Sequence, residues 1–143
     1  MAADQRVQEG PIRVLVCDDN APFAQALSVM LSAEPQLEVA GVARDGEEAL
    51  RLAEALAPVD VILLDIEMPG MGGIEVLRVL RGWKQRPAVM MLTGVSDSDV
   101  IERAQREQPD AFLRKSVDPD EMVTGILIIG QMVRAATHAV ELS

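Results

Sequence analysis

The chain has 143 residues, 49% of them hydrophobic and 25% charged, which suits one globular domain with a real core and leaves no room for two ordinary ones. Its net charge of −10 argues against nucleic acid or an anionic membrane as a direct partner, since both demand a basic patch. The single cysteine, Cys17, excludes an internal disulfide, and no apolar run approaches the ~18 residues needed to span a bilayer.

The opening MAADQRVQEGP has no apolar core, so residues 1–10 are expected to be a disordered lead rather than a signal peptide, and residues 11–143 one domain in a cytoplasmic setting. Ile12–Cys17 (IRVLVC) is short, β-branched and bounded by Pro11 and Asp18, which predicts a strand. Ala21–Ala33 carries Phe23, Leu27, Met30 and Leu31 at helical spacing. Leu37–Ala43 reads as a second strand, followed by a helix over Glu47–Leu56 that Pro58 stops. Val59–Leu64 is a third strand, and its continuously apolar stretch Val61–Leu64 predicts burial on both faces, at the centre of a parallel sheet. A loop through Met68-Pro69-Gly70 leads to a helix over Gly73–Arg81. Pro87–Thr93 is a fourth strand, Asp97–Glu107 a polar helix, and Ala111–Lys115 a short fifth strand. Asp118 as N-cap and Pro119 at the first helical position open a long last helix. Five alternating strand–helix units imply a doubly wound α/β sheet.

In open α/β sheets ligands bind at the carboxyl ends of the strands. Asp18 and Asp19 follow the first strand, Asp65 ends the third, Thr93-Gly94 the fourth and Lys115 the fifth. If these strands are neighbours, three carboxylates, a hydroxyl and an ammonium converge. Three such carboxylates cannot all ionise without a counter-ion, and a hard oxygen-ligated divalent ion such as Mg²⁺ fits them. A charged lysine has no lone pair to give a metal, so its use is to bind anionic oxygens. A cation, a lysine and a hydroxyl around one spare carboxylate make a phosphoryl site, with a carboxylate as nucleophile.

Four segments carry a family likeness: CDDN after the first strand, LLDIEMPGMGGIEVL around Asp65, MLTG at the fourth strand end and AFLRKS at the fifth. From Ile12 into the last helix the chain resembles the receiver domain of bacterial two-component response regulators. The resemblance implies a flavodoxin-like (βα)5 fold, a five-stranded parallel sheet in the order 2-1-3-4-5. It makes Asp65 the phosphoacceptor, Asp19 and Asp65 direct Mg²⁺ ligands, Asp18 a ligand through water, and the Glu67 carbonyl the remaining protein ligand. It has Lys115 bind a phosphoryl oxygen, Thr93 move toward the phosphoryl group and Phe112 change rotamer with it. The implied donor is a phosphohistidine on a sensor histidine kinase or histidine phosphotransfer protein. Ser116 stands where many relatives have proline, which excludes a cis proline there and predicts a more adjustable loop. Val95 and Glu67 occupy the positions that govern water access to the acyl phosphate.

Two other functions compete. A Mg²⁺-dependent phosphatase-type enzyme would also use Asp65 as nucleophile, but Ile66-Glu67 follows it, so an Asp-x-Asp pair is missing, and the length leaves no cap over a substrate. A flavodoxin-like FMN carrier needs a hydroxyl- and glycine-rich phosphate loop after the first strand, where Asp18-Asp19 would repel the phosphate. Of the remaining residues, Cys17, Met90 and Met91 are expected in the core, His138 on a solvated helix surface, and Trp83 as surface cover or a loop anchor.

The last helix carries two apolar stripes. Met122, Ile126, Ile129 and Val133 suit the core, whereas Ile128, Met132, Ala135 and Ala139 lie roughly a quarter turn away. The second stripe is expected to serve a homodimer or to dock an output domain absent from this chain.

Overall fold

Short apolar strands must find partners for every backbone N–H and C=O, and here they do so side by side in one parallel sheet. The computed structural model describes residues 10–94 and 96–142. Its strands are β1 (Ile12–Cys17), β2 (Leu37–Ala43), β3 (Val61–Asp65), β4 (Ala88–Thr93) and β5 (Ala111–Arg114), in the order β2-β1-β3-β4-β5. Register is set by pairs such as Val14 with Val61, Leu64 with Met91 and Thr93 with Arg114. The helices are α1 (Ala21–Ser32), α2 (Gly46–Ala55), α3 (Gly73–Leu80), α4 (Ser98–Arg106) and α5 (Pro119–Leu142).

Side chains alternate between the two faces of each strand, so the sheet has two cores. Val14, Val16, Leu63, Met90 and Leu92 meet Ala24, Leu27 and Leu31 of α1 and Met122, Ile126 and Ile129 of α5. Leu15, Cys17, Ile62, Leu64 and Met91 meet Ala49, Ala53, Val76, Leu77, Leu80 and Ala104 of α2, α3 and α4. Every residue of β3 is buried, as its continuous apolar stretch requires. Each fully buried large apolar side chain contributes roughly 1.5–3 kcal/mol relative to exposure, so these two clusters dominate the folding energy.

The predicted elements are all present, and the differences lie at their ends. Ala33, Leu56, Arg81 and Glu107, expected as last helical residues, are C-caps, and Asp97 is an N-cap. The third strand starts later and ends later than Val59–Leu64. The Asp65 backbone still pairs with Leu92, so the ladder continues through the residue whose side chain leaves it. The fifth strand ends at Arg114, although the Lys115 N–H still donates to the Thr93 carbonyl at 2.9 Å.

Two glycines let the loop after β3 lie tightly against the sheet. A Cβ on Gly73 would collide with the Asp65 carbonyl oxygen, and one on Gly46 with that of Met71. At the opposite end of β3, buried Asp60 accepts from Arg134 of α5 through Nε at 3.1 Å and Nη2 at 2.9 Å, and from the Arg13 backbone at 2.8 Å. Arg134 also donates to the Gly10 and Pro11 carbonyls, both at 2.6 Å.

The lead expected over residues 1–10 lies, apart from Gly10, outside the described residues. On α5, Met122, Ile126 and Ile129 are buried, while Ile128 and Met132 are 55% and 65% exposed. Ala135 and Ala139 are exposed beside them. No helix among the described residues is long and apolar enough to cross a membrane.

Candidate functional site

β1 and β3 are direct neighbours, so Asp18, just past one, and Asp65, at the end of the other, emerge side by side. Asp18, Asp19 and Asp65 each offer an oxygen within 4.8 Å of the others. Asp18 and Asp65 are buried and Asp19 is exposed, which leaves the cluster one open side. The chain beyond Asp19 turns directly into α1. Asn20 Oδ1 accepts from the Phe23 N–H at 3.0 Å, and the Asn20 N–H donates to Asp18 Oδ1 at 2.9 Å. The helix cap thereby fixes the inner carboxylate.

Lys115 reaches the cluster from the far side of β4. Its Nζ lies 2.7 Å from Asp18 Oδ2 and 3.5 Å from Asp65 Oδ2. The shorter contact is a close, charge-assisted ion pair. Burial would lower the Lys115 pKa, but contact with Asp18 and the charge of Asp65 raise it above its ordinary value. The ammonium therefore stays protonated.

Asp65 behaves differently. Burial pushes its pKa up from 3.8 to about 6, and the charge of Asp18 adds to the rise. Lys115 and a hydrogen bond from the Glu67 N–H pull the other way without cancelling it. One ammonium cannot neutralise three carboxylates, so the cluster lacks positive charge when fully ionised. Its donors are all oxygens, and one side is open to water. That set suits a hard divalent cation that keeps several waters, and Mg²⁺ fits it.

The other expected groups are distributed over β4, β5 and the loop after β3. Thr93 ends β4 and is buried, on the strand between β3 and β5. Phe112, half-buried on β5, is opposite Met91 and packs against the second core. Glu67 is exposed in the loop after Asp65, and Val95 lies outside the described residues. Cys17 is a core residue; burial, reinforced by Asp18, pushes its thiol up to about 12. Trp83 packs partly into the second core as a loop anchor, and His138 is half-buried rather than fully solvated.

Two residues at the site, and one ion pair at the opposite end of β3, are not singled out by the sequence pattern. Phe23 was legible only as a core position of a helix, yet its ring lies 4.6 Å from Lys115 Nζ. Asn20 had a readable signal, since asparagine ahead of Ala-Pro is a strong helix start. The Asp60–Arg134 pair had none, because 74 residues separate its members.

The family model of the response regulator receiver domain matches residues 14–127. Over 128 residues the chain is 30% identical to the transcriptional regulatory protein DegU of Brevibacillus brevis, covering 90% of this chain and 54% of DegU. It is 46% identical over 83 residues to a protein-glutamate methylesterase/protein-glutamine glutaminase of Halalkalibacterium halodurans, covering 58% of this chain and 24% of that protein. The chain thus spans about half the length of the first and a quarter of the second. The signal receiver domain of NarL from Mycobacterium tuberculosis superposes with a TM-score of 0.78 at 31% identity, over 85% of this chain and 98% of that structure. A (βα)5 sheet with an aspartate cluster at its carboxyl edge is the framework of a phosphoaccepting, Mg²⁺-binding switch, not of an enzyme with a separate substrate. By sequence, fold and acidic cluster, this chain belongs to the family of two-component response regulator receiver domains.

Proposed function

We propose that Asp65 is the phosphoacceptor, and that it takes the phosphoryl group from a phosphohistidine on a sensor histidine kinase or a histidine phosphotransfer protein in the cytoplasm. The observation that carries this reading is the 3.5 Å approach of Lys115 to Asp65 within a cluster of three carboxylates. A carboxylate oxygen of Asp65 attacks phosphorus, the phosphorus–nitrogen bond breaks, and the histidine ring leaves with the bonding pair. Asp19, Asp65 and the Glu67 carbonyl would hold Mg²⁺, with Asp18 acting through water. When bound, Mg²⁺ supplies charge neutralisation for the phosphoryl oxygens.

Lys115 binds one phosphoryl oxygen, exchanging a carboxylate partner for a more highly charged one. The phosphoryl group brings about −1.5 to −2 charges. The Thr93 hydroxyl donates to a second oxygen, and Phe112 repacks as Thr93 moves. This shifts the population only by the difference in phosphoryl binding between the two arrangements of Thr93 and Phe112. We further assign the exposed stripe Ile128, Met132, Ala135 and Ala139 to contact with a second copy of the chain, on the support of its apolar exposure.

Intact-mass measurement with acetyl phosphate and Mg²⁺ tests the acceptor. Wild type should gain one phosphoryl group, and Asp65→Asn none. Equal labelling of the variant would refute the assignment. Continuous hydrolysis of the donor far beyond one equivalent would favour the phosphatase alternative.

A further inference from the structure

Lys115 stands just past the last residue of β5, on a flexible four-carbon stem, and Ser116 after it imposes no proline-like restraint on the backbone. Its backbone N–H, bonded to the Thr93 carbonyl at 2.9 Å, ties its main chain to the sheet. Its ammonium is nonetheless held by three neighbours: Asp18 Oδ2 at 2.7 Å, Asp65 Oδ2 at 3.5 Å and the Phe23 ring at 4.6 Å from Nζ to the centroid. That last distance is within cation–π range.

The contacts form a closed circuit. Lys115 meets Asp18, Asp18 accepts from the Asn20 N–H, and Asn20 accepts from the Phe23 N–H. The Phe23 ring returns to Lys115. Two of these links run from a backbone N–H to a side-chain oxygen at the N-cap of α1, so the start of the helix anchors the backbone that carries the ring. Composition also argues for purpose. The chain has two phenylalanines, one tryptophan and no tyrosine, and one of these three rings stands over the site lysine. Phe23 packs at the margin of the first core, where an aliphatic side chain would serve equally well if apolar filling were all that mattered.

We propose that Phe23 is a positioning residue for Lys115, its ring face holding the ammonium beside Asp18 and Asp65 where the phosphoryl oxygen arrives. This rests on Asp65 being the acceptor. When the phosphoryl group draws Lys115 away from Asp18, the ring remains as a neutral contact that does not compete for the new anion. A third carboxylate in that place would.

Two measurements on the full chain test the proposal. The first is the NMR shift of the Lys115 ε-methylene, which a ring face should move upfield in wild type and which should return to its ordinary position in Phe23→Leu. The second is the rate of Asp65 phosphorylation by acetyl phosphate with Mg²⁺ as Phe23 is replaced by mono-, di- and trifluorophenylalanine. These analogues weaken the π-face and nearly preserve shape. The rate should fall stepwise, by about three- to tenfold at the last member, and the series should be flat in a Lys115→Gln background. An unshifted ε-methylene, a flat wild-type series, or an equal decline without the ammonium would each overturn the proposal. If wild type is not labelled at Asp65 at all, the acceptor assignment fails instead, and the methylene shift alone decides where Phe23 places Lys115.

Discussion

Replacing Asp65 by asparagine should stabilise the metal-free protein at neutral pH and leave it almost unchanged in acid. In the folded chain this carboxyl keeps its proton up to about pH 6, whereas an ordinary aspartate releases it near 3.8. Below 3.8 both folded and unfolded chains are protonated there, and the folded state carries no penalty. As pH climbs through about 6 the buried, negatively surrounded carboxylate must ionise, and that stability is lost. The separation of the two values sets a ceiling of about 3 kcal/mol. Water entry and relaxation around a side chain that is 10% exposed reduce the expectation to roughly 1–2 kcal/mol, or about 3–8 °C in melting temperature for a chain of this size. Asparagine keeps the shape of the protonated acid, so it removes the penalty without leaving a cavity. Calorimetry in EDTA at pH 7.5 and pH 4 measures the gap between wild type and variant. Mg²⁺ should then close the gap at pH 7.5 by stabilising wild type alone. A variant less stable than wild type at pH 7.5, or a gap that does not shrink between pH 6 and pH 4, would refute the reasoning.

Asp19→Asn should likewise raise the melting temperature in EDTA and abolish Mg²⁺ binding; a clear fall in melting temperature with Mg²⁺ affinity intact would count against both roles. Arg134→Ala leaves the buried Asp60 carboxylate, among the described residues, with the Arg13 backbone donor alone, so urea denaturation should show a loss of about 3 kcal/mol. A loss below ~0.5 kcal/mol would mean that water replaces the guanidinium freely. Ile128→Glu with Met132→Glu should remove a homodimer seen by light scattering on phosphorylated protein while leaving the monomer folded. A wild type that stays monomeric in both states rejects that interface.

The site was legible because its residues sit at strand ends, and strand ends are marked by an abrupt change from β-branched to charged residues. Asp18, Asp65 and Lys115 needed only the neighbouring of β1, β3, β4 and β5 to converge, and the sheet order provides it. The two stripes of the last helix were legible for a related reason, since a 3.6-residue period separates Ile129 from Ile128 by a wide angle. What periodicity could not convey was partnership at long range. Arg134 lies among Val133, Ala135 and Ala136 with no local signal of a buried acid, and Asp60 reads as a turn residue before an apolar run. The helical period puts Phe23 on the core face of α1, but its position against Lys115 depends on how α1 leans over the sheet, which no local pattern encodes. The helix ends differ from the sequence expectation by single residues, because capping residues share the charge and size of the last turn.

β3 carries an aspartate just before it and another at its last residue, and the two are in opposite condition. Asp60 has its charge answered by Arg134 and a backbone donor, whereas Asp65 shares one ammonium with two more acids. In landscape terms the domain is locally frustrated at one rim and consistent at the other, with the sealed residues Val61–Leu64 between them. Opening fluctuations are therefore cheap at the acidic rim, and amides around residues 65–67 should exchange with solvent through smaller openings than those at residues 61–63. A fold arranged this way can rearrange its loops on demand while the opposite rim keeps the strands in register.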